Sequence, residues 1–298
     1  MKKFLLLTVV LSLVGALFLS CNKTPDPEEE TVSFETPVYA DDAVAVSFAS
    51  LVSPPQEALP MGSDWIIPER MVFTESGRFV FLGSYATKAA SDKFTFSDLY
   101  SLLSGDYRIN GLGITVHISG NTVTITLSNG DVYEYDGVSI KKAKSPQAGT
   151  EANLVRSWKP DGKVTITIDH AAGIVTTHQE PDLGKIGTFL VEHEVHIDET
   201  RYQDGYIITD ITLSLADNSF IIAFQNNDAF VGNWKWTDQE AGEFLYEFTT
   251  DLGGSFVNGS AHGTVSFFRE GNVNKCNLKM EVAAKGTKAF IDFTLKEA

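Results

Sequence analysis

The sequence predicts a mainly β protein: an α+β N-terminal domain, with one helix on an antiparallel sheet, followed by an antiparallel β-barrel. Apolar residues alternate with polar ones over short stretches, as at Ile114, Val116 and Ile118. This is the pattern of a strand with one buried face. Dipeptides such as Asn129-Gly130 separate these stretches and favour tight hairpin turns. Only two stretches predict helices of any length.

Residues 1–20 have the features of a lipoprotein signal peptide. A basic start is followed by an almost wholly apolar run over residues 4–19, which is too short for a transmembrane helix with these flanks. The stretch from Leu17 to Cys21 resembles the lipobox of bacterial lipoproteins, although Phe18 stands where that family usually has an aliphatic residue. The resemblance implies cleavage before Cys21 and acylation of this cysteine. The alternative is a plain signal peptide followed by an incidental cysteine.

Residues 21–37 predict a flexible acidic tether, because they are rich in proline and carboxylates and poor in apolar residues. The acids at Asp26 and Glu28 to Glu30 resemble the export signal that follows the cysteine in Bacteroidetes surface lipoproteins. That resemblance implies a lipid-anchored protein on the outer membrane, exposed at the cell surface. A solvated linker on a periplasm-facing protein is the alternative.

Charge and cysteine content restrict the classes of partner. The chain has 298 residues and a formal net charge of −16, which argues against nucleic acid because such binding depends on Lys and Arg. Its two cysteines are Cys21 and Cys276. If Cys21 carries lipid, Cys276 has no disulfide partner, and we expect it to be a half-buried strand residue. The oligomeric state stays open.

Residues 38–144 predict the N-terminal α+β domain. A hairpin is expected around the turn at Gly77, and a meander of short strands is expected after Gly105. Between them, Phe94 to Leu103 predicts a helix, with Ser97 as the N-cap and Leu99, Leu102 and Leu103 on its apolar face.

The segment 141–151 loses all apolar periodicity and is the expected domain boundary. Its three lysines, Lys141, Lys142 and Lys144, are interpreted as a solvated turn, with a basic patch as the alternative. Residues 151–298 then form the second domain. There a helix beginning at Asp182 is favoured over a strand, and strands recur every 8–12 residues, which is typical of a barrel or flattened sandwich.

Two stretches of the second domain carry a family resemblance. Residues 211–224, followed by Val231-Gly232-Asn233-Trp234-Lys235-Trp236, resemble the lipocalin-like domains of Bacteroidetes lipoproteins of unknown function. The opening from Leu154 to Lys159 is similar too, whereas Ser219 departs from the glycine that is usual at that turn. The resemblance implies an up-and-down β-barrel and often no known ligand.

Aromatic residues provide the candidate binding site. On alternate positions of one expected strand lie Phe230, Trp234 and Trp236, and the next strand repeats the pattern with Phe244 and Tyr246. Such a face could be barrel core, the wall of an apolar cavity, or a platform on which sugars stack. Trp158 is expected to plug one end of the barrel.

No motif indicates an enzyme, a metal site or a cofactor. His193-Glu194-Val195-His196 lacks the spacing of zinc proteases, and a glycosidase pair of distant carboxylates would be invisible in sequence. The expected function is therefore a membrane-anchored, non-enzymatic binding module for a small apolar molecule or a glycan. The alternative is a structural or adhesin-like surface subunit. A fimbria-type cleavage at Arg70 is disfavoured because it would remove sheet residues, and a hydrolase is the third possibility.

Overall fold

Antiparallel strands account for most of the chain that the structure describes, and they confirm the mainly β prediction. The structure is a computed structural model that describes residues 32–49, 57–88, 93–195, 205–250, 261–284 and 287–298. The signal peptide, Cys21 and most of the predicted tether lie outside these residues, so the predictions about them stay predictions.

Residues 44–142 form the first sheet, in the order β10-β1-β3-β4-β5-β6-β7-β8-β9, with β2 paired to β3. The strands are β1 (Val44–Ser47), β2 (Leu59–Met61), β3 (Asp64–Phe73), β4 (Arg78–Tyr85), β5 (Lys93–Leu103), β6 (Asp106–Ile109), β7 (Ile114–Ser119), β8 (Thr122–Leu127), β9 (Val132–Asp136) and β10 (Ser139–Lys142). The predicted hairpin joins β3 to β4, and Gly77 in its turn has a φ of 83°, which L side chains avoid.

Strand β5 occupies the place where a helix was predicted, so the prediction of a helix from Phe94 to Leu103 was wrong. Its first part pairs with β4 and its last part with β6. Leu99 and Leu103, two leucines of the expected helical face, are 58% and 49% exposed. Instead, Phe96 and Tyr100 alternate onto the face that packs in the core. Pairing with β4 over residues 93–99 and with β6 over residues 100–103 overrides the helical spacing of the leucines.

The first sheet curls around an aromatic and aliphatic core. Phe73 stacks near Phe79 and Tyr107, with ring centroids 5.0 and 4.0 Å away. Aliphatic residues from the later strands, such as Val116 and Ile125, are fully buried in the same cluster. The curl lets one sheet bury its own inner face.

Residues 157–297 form the second sheet, with two helices beside its strands. The elements are α1 (Thr150–Leu154), β11 (Ser157–Pro160), β12 (Val164–His170), β13 (Gly173–Gln179), α2 (Leu183–Glu192), β14 (Ile208–Ser214), β15 (Ser219–Phe224), β16 (Ala229–Asp238), β17 (Glu243–Thr250), β18 (Ala261–Glu270), β19 (Val273–Ala284) and β20 (Thr287–Glu297). Strands β14 to β20 pair in chain order, and β11 pairs with both β14 and β20. This pairing closes an antiparallel barrel, to which β12 and β13 add a hairpin along β20.

Helix α2 confirms the prediction of a helix beginning at Asp182. The Asp182 side chain caps it by accepting a hydrogen bond of 2.9 Å from the Gly184 N–H. Leu183, Ile186 and Leu190 are buried, so the apolar face of the helix packs inward and the alternative strand is excluded.

Small apolar side chains form a dry contact between the two sheets. The first sheet contributes Ala43, Ala45, Val72 and Val80, and the second contributes Ala216, Ile221, Ala229 and Val231. Each of these side chains is at most 3% exposed. Small residues at this contact let the backbones of the two sheets approach closely. Residues 33–298, which include both sheets, form one compact unit.

Buried polar groups also link the sheets. The Arg78 guanidinium lies 2.9 Å from the Asp210 carboxylate, whose side chain is 0% exposed. Asp210 accepts hydrogen bonds of 2.6 Å from Ser157 Oγ and Thr212 Oγ1. Removing one partner would leave the other charge buried without compensation, so the network specifies how the sheets pack.

Phe34 belongs to the folded unit although it lies within the predicted tether. It is 5% exposed, and its ring lies 6.2 Å from Trp158 and 5.9 Å from Phe267. Its N–H donates to Asn153 Oδ1 at 2.8 Å. The aromatic ring supplies the burial that the rest of the segment lacks.

Candidate functional site

Five of the six aromatic residues singled out in the sequence are buried. The exposed fraction is at most 4% for Trp158, Phe230, Trp234, Phe244 and Tyr246. Trp236, the sixth, is half-buried near the open end of β16. The alternation along β16 and β17 therefore directs most of these rings into the barrel.

The rings inside the barrel pack mainly against one another. Phe220 lies 5.5 Å from Tyr246 and 6.3 Å from Phe244, both in edge-on geometry. A cavity lined by ten apolar residues, including Phe230 and Ile186, has a volume of about 20 Å³. Ligand pockets are typically about 300–1,000 Å³, so this cavity is far too small for a ligand.

Trp158 is buried in strand β11, close to helix α1. Its Nε1 donates to the Leu154 carbonyl at 3.1 Å, and its ring lies 6.0 Å from Phe267. Together with Phe34, these residues form an aromatic cluster where the N-terminal segment packs.

A groove of about 630 Å³ opens where the two sheets meet. Strand β10, the segment that follows it, the 3-10 turn Ala216–Asn218 and strand β16 supply its walls. We call it the lysine–tryptophan groove, and its walls include Lys141, Lys142, Lys144, Lys235, Trp234 and Trp236. Its volume is in the range of ligand-binding pockets.

The two tryptophans of the groove are held in fixed orientations. Trp234 Nε1 donates to the Ser214 carbonyl at 3.1 Å. The Trp236 ring packs edge-on against Trp234, with centroids 5.0 Å apart. Trp236 Nε1 is buried and has no acceptor among the described residues, so a polar wall group is left unsatisfied.

Asp217 organises the charges at the base of the groove. Its carboxylate lies 2.6 Å from Lys141 Nζ and 3.2 Å from the Arg70 guanidinium. Arg70 also donates to Ser219 Oγ at 2.8 Å. Arg70 of the first sheet and Asp217 of the second thus connect the groove to the sheet contact.

A second cavity, of about 420 Å³, lies beside the N-terminal segment and includes Arg78 and Arg156 in its lining. Arg78 pairs with Asp210, while Arg156 pairs with Glu297 and donates to the Glu35 carbonyl. Both arginines that line this cavity therefore already have ion-pair partners within the protein.

Outside the groove, several histidines of the described residues contact polar or aromatic neighbours. His117 contacts Asp106 at 2.7 Å, and His193 stacks near His170 at 6.3 Å. Across the described ranges, no group of three or more His, Cys, Asp or Glu side chains could hold a metal ion. Cys276 is 1% exposed, and burial raises the pKa of its thiol well above the usual value. None of the described helices is long and apolar enough to cross a membrane.

Comparison with known proteins leaves the chain without a family assignment. No protein-family model and no curated protein matches it. A similar solved structure is that of a protein of unknown function from the DUF3598 family of Nostoc punctiforme, 9% identical over 86% of this chain and 94% of that chain. The TM-score is 0.22, and a likeness at this level carries no argument about function.

The sequence pointed separately to the tryptophans and to the lysines of the groove, but not to their proximity. Trp234 and Trp236 were candidates for a binding face, and the lysines of the 141–151 segment were interpreted as a solvated turn. Lys141 and Asp217 are 76 positions apart in the chain, so only the packing of the two sheets makes them neighbours. The alternative of a basic patch was the sequence signal that pointed to the groove.

Proposed function

We propose that this protein is a lipid-anchored, non-enzymatic module that binds a glycan in the lysine–tryptophan groove. The anchor is inferred from the lipobox-like stretch ending at Cys21, and the acidic residues after it favour the outer face of the outer membrane. Mass spectrometry of protein extracted from membranes should find acyl chains on Cys21. Unmodified Cys21 would contradict the anchor.

The observation that carries the proposal is the composition of the groove. A sugar ring has an apolar C–H face and a polar hydroxyl rim, so it suits a site with one aromatic wall and several hydrogen-bonding groups. Trp236 offers a partly exposed aromatic surface, while Gln147, Asn218 and the lysines offer donors and acceptors.

A glycan is favoured over a small apolar molecule because of where space is found. The apolar cavity in the barrel holds about 20 Å³, whereas the groove holds about 630 Å³ and has polar walls. An apolar ligand would take water from exposed lysines such as Lys142 and Lys144 and give them no partner in return, which is costly.

The test is a glycan array followed by titration calorimetry on the chain beginning at Asn22. We expect Trp236→Ala to weaken binding of an array-selected glycan by about tenfold, because the loss of one aromatic contact costs about 1.4 kcal/mol. The matched control is Trp65→Ala, which removes a 50% exposed tryptophan of the first sheet. No bound glycan, or equal losses in both variants, would contradict the proposal.

A further inference from the structure

We infer that the groove selects short anionic saccharides, in which carboxylate or sulfate groups meet the lysines while a ring face lies against Trp236. This inference rests on the proposed function and names the class of glycan.

The carboxylates of the groove have partners within the protein, whereas most of its lysines have no ion-pair partner among the described residues. Its two carboxylates both have partners inside the protein: Asp217 pairs with Lys141 and Arg70, and Glu151 accepts a hydrogen bond of 2.7 Å from the Gln147 N–H. In contrast, Lys142, Lys144 and Lys235 are exposed and form no ion pair with any described residue. The uncommitted charge of the groove is therefore positive.

This positive groove lies on a strongly acidic chain. The formal net charge is −16, so the field around most of the protein repels anions. A short anion can reach the lysines without contacting the acidic surface, whereas a long polyanion would also meet that surface. Salt screens the attraction over about 8–10 Å at moderate ionic strength, which confines it to the groove.

The aromatic wall narrows the class from any anion to a saccharide. Lysines alone would attract inorganic phosphate or an acidic peptide. Trp236 adds an apolar surface to the lining that also includes Lys142 and Lys144, and its partner Trp234 is fixed by the hydrogen bond to Ser214. A ring that presents a flat C–H face and an equatorial carboxylate or sulfate satisfies both features at once.

The experiment compares ligands that differ only in charge, using the chain beginning at Asn22. Trigalacturonate is titrated against its methyl ester, and N-acetylgalactosamine 6-sulfate is titrated against N-acetylgalactosamine. We expect each charged ligand to bind at least about tenfold more tightly than its neutral partner at about 50 mM salt. We also expect this preference to shrink at about 500 mM salt.

Variants assign the preference to the groove. The triple variant Lys142→Gln, Lys144→Gln, Lys235→Gln should remove the preference for the charged ligand, because glutamine still offers hydrogen bonds but carries no charge. The control triple variant, Lys159→Gln, Lys163→Gln, Lys288→Gln, changes exposed lysines elsewhere on the second sheet and should retain the preference. Trp236→Ala should weaken charged and neutral ligands alike.

The outcomes separate the two proposals. Equal binding of charged and neutral ligands, with loss in Trp236→Ala, would overturn this inference and leave the glycan-binding function standing. An aspartate-rich peptide that competes as strongly as trigalacturonate would overturn the saccharide class. Absence of binding by any glycan, charged or neutral, would overturn the proposed function and this inference with it.

Discussion

Glu75 is a buried carboxylate at the contact between the two sheets. It is 1% exposed, and its Oε1 accepts a hydrogen bond of 2.7 Å from the Leu215 N–H. Burial raises the pKa of Glu75 to about 7, while hydrogen bonds from Ser214 and from the backbone limit the rise. Because of this burial, the Glu75 carboxyl titrates in the neutral range.

The raised pKa makes stability depend on pH in a defined direction. Because the folded pKa exceeds the unfolded value of 4.5, the folded state binds more protons between these two values. The free energy of unfolding contributed by Glu75 is therefore highest below about pH 4.5 and falls as pH rises through about 7, by up to about 3 kcal/mol.

Replacing Glu75 with Gln removes this titration and keeps an oxygen that can accept from Leu215. We expect the Glu75→Gln variant to be more stable than the parent at about pH 8, by about 1–3 kcal/mol, and less stabilised by acidification to about pH 5. Urea unfolding at both pH values measures this. Glu134→Gln, at an exposed position, is the control. Parallel pH profiles for parent and Glu75→Gln would show that the carboxylate does not titrate as described.

At the scale of single elements, strand β16 depends on a close approach at Gly232. The register of β16 against β17 shifts between Val231 and Gly232. A Cβ at this position would overlap the backbone carbonyl oxygen of Glu247 and come within 2.7 Å of the Phe248 Cα. Both obstacles are backbone atoms, so the neighbouring strand would have to move.

We expect Gly232→Ala to lower the free energy of unfolding by about 1–3 kcal/mol, as overpacking in a closed sheet usually does. Ser266→Ala, at an exposed position of β18, should change it by less than about 0.5 kcal/mol. Chemical denaturation of both variants measures the difference. If the two variants are equally stable, β16 and β17 do not approach each other this closely.

Strand β5 shows where local pattern and tertiary context disagree. Leu99, Leu102 and Leu103 have helical spacing, whereas Phe94, Phe96 and Tyr100 alternate as in a strand. The strand forms because its backbone pairs with β4 over residues 93–99 and with β6 over residues 100–103. Partners from elsewhere in the chain are not visible within a window of ten residues.

For the molecule as a whole, the dry contact between the sheets couples their unfolding. Ala229 is 0% exposed within this contact, and its N–H donates to Thr95 Oγ1 of the first sheet at 3.2 Å. Its side chain belongs to the same buried cluster as Val72 and Val80 of the first sheet. We expect a single unfolding transition for residues 33–298.

Ala229→Leu tests this coupling because the larger side chain must push the sheets apart. We expect the one transition to shift to lower temperature by several degrees, which corresponds to about 1–3 kcal/mol, and to remain single in scanning calorimetry. Thr264→Leu, which adds a similar side chain at an exposed position, should leave the midpoint nearly unchanged. Two transitions, of which Ala229→Leu moves only one, would show that the sheets unfold independently.

Local sequence determined most of the strands and turns, and helix α2, of this protein. Alternation and Asn-Gly or Asp-Gly turns act over a few residues, and Asp182 caps a helix through its own side chain, so each could be predicted from neighbouring residues. The alternation in β16 also predicted that Phe230 and Trp234 share a face.

Only the tertiary structure decided three features: that residues 93–103 form strand β5, how the two sheets meet, and where the groove forms. Arg78 meets Asp210 and Lys141 meets Asp217 across long stretches of chain. These contacts form because two sheets bury their small apolar faces against each other, and no local pattern encodes which face meets which. The sequence therefore predicts that the lysines belong to a solvated turn, whereas the packing of the sheets places them in the same groove as Trp236.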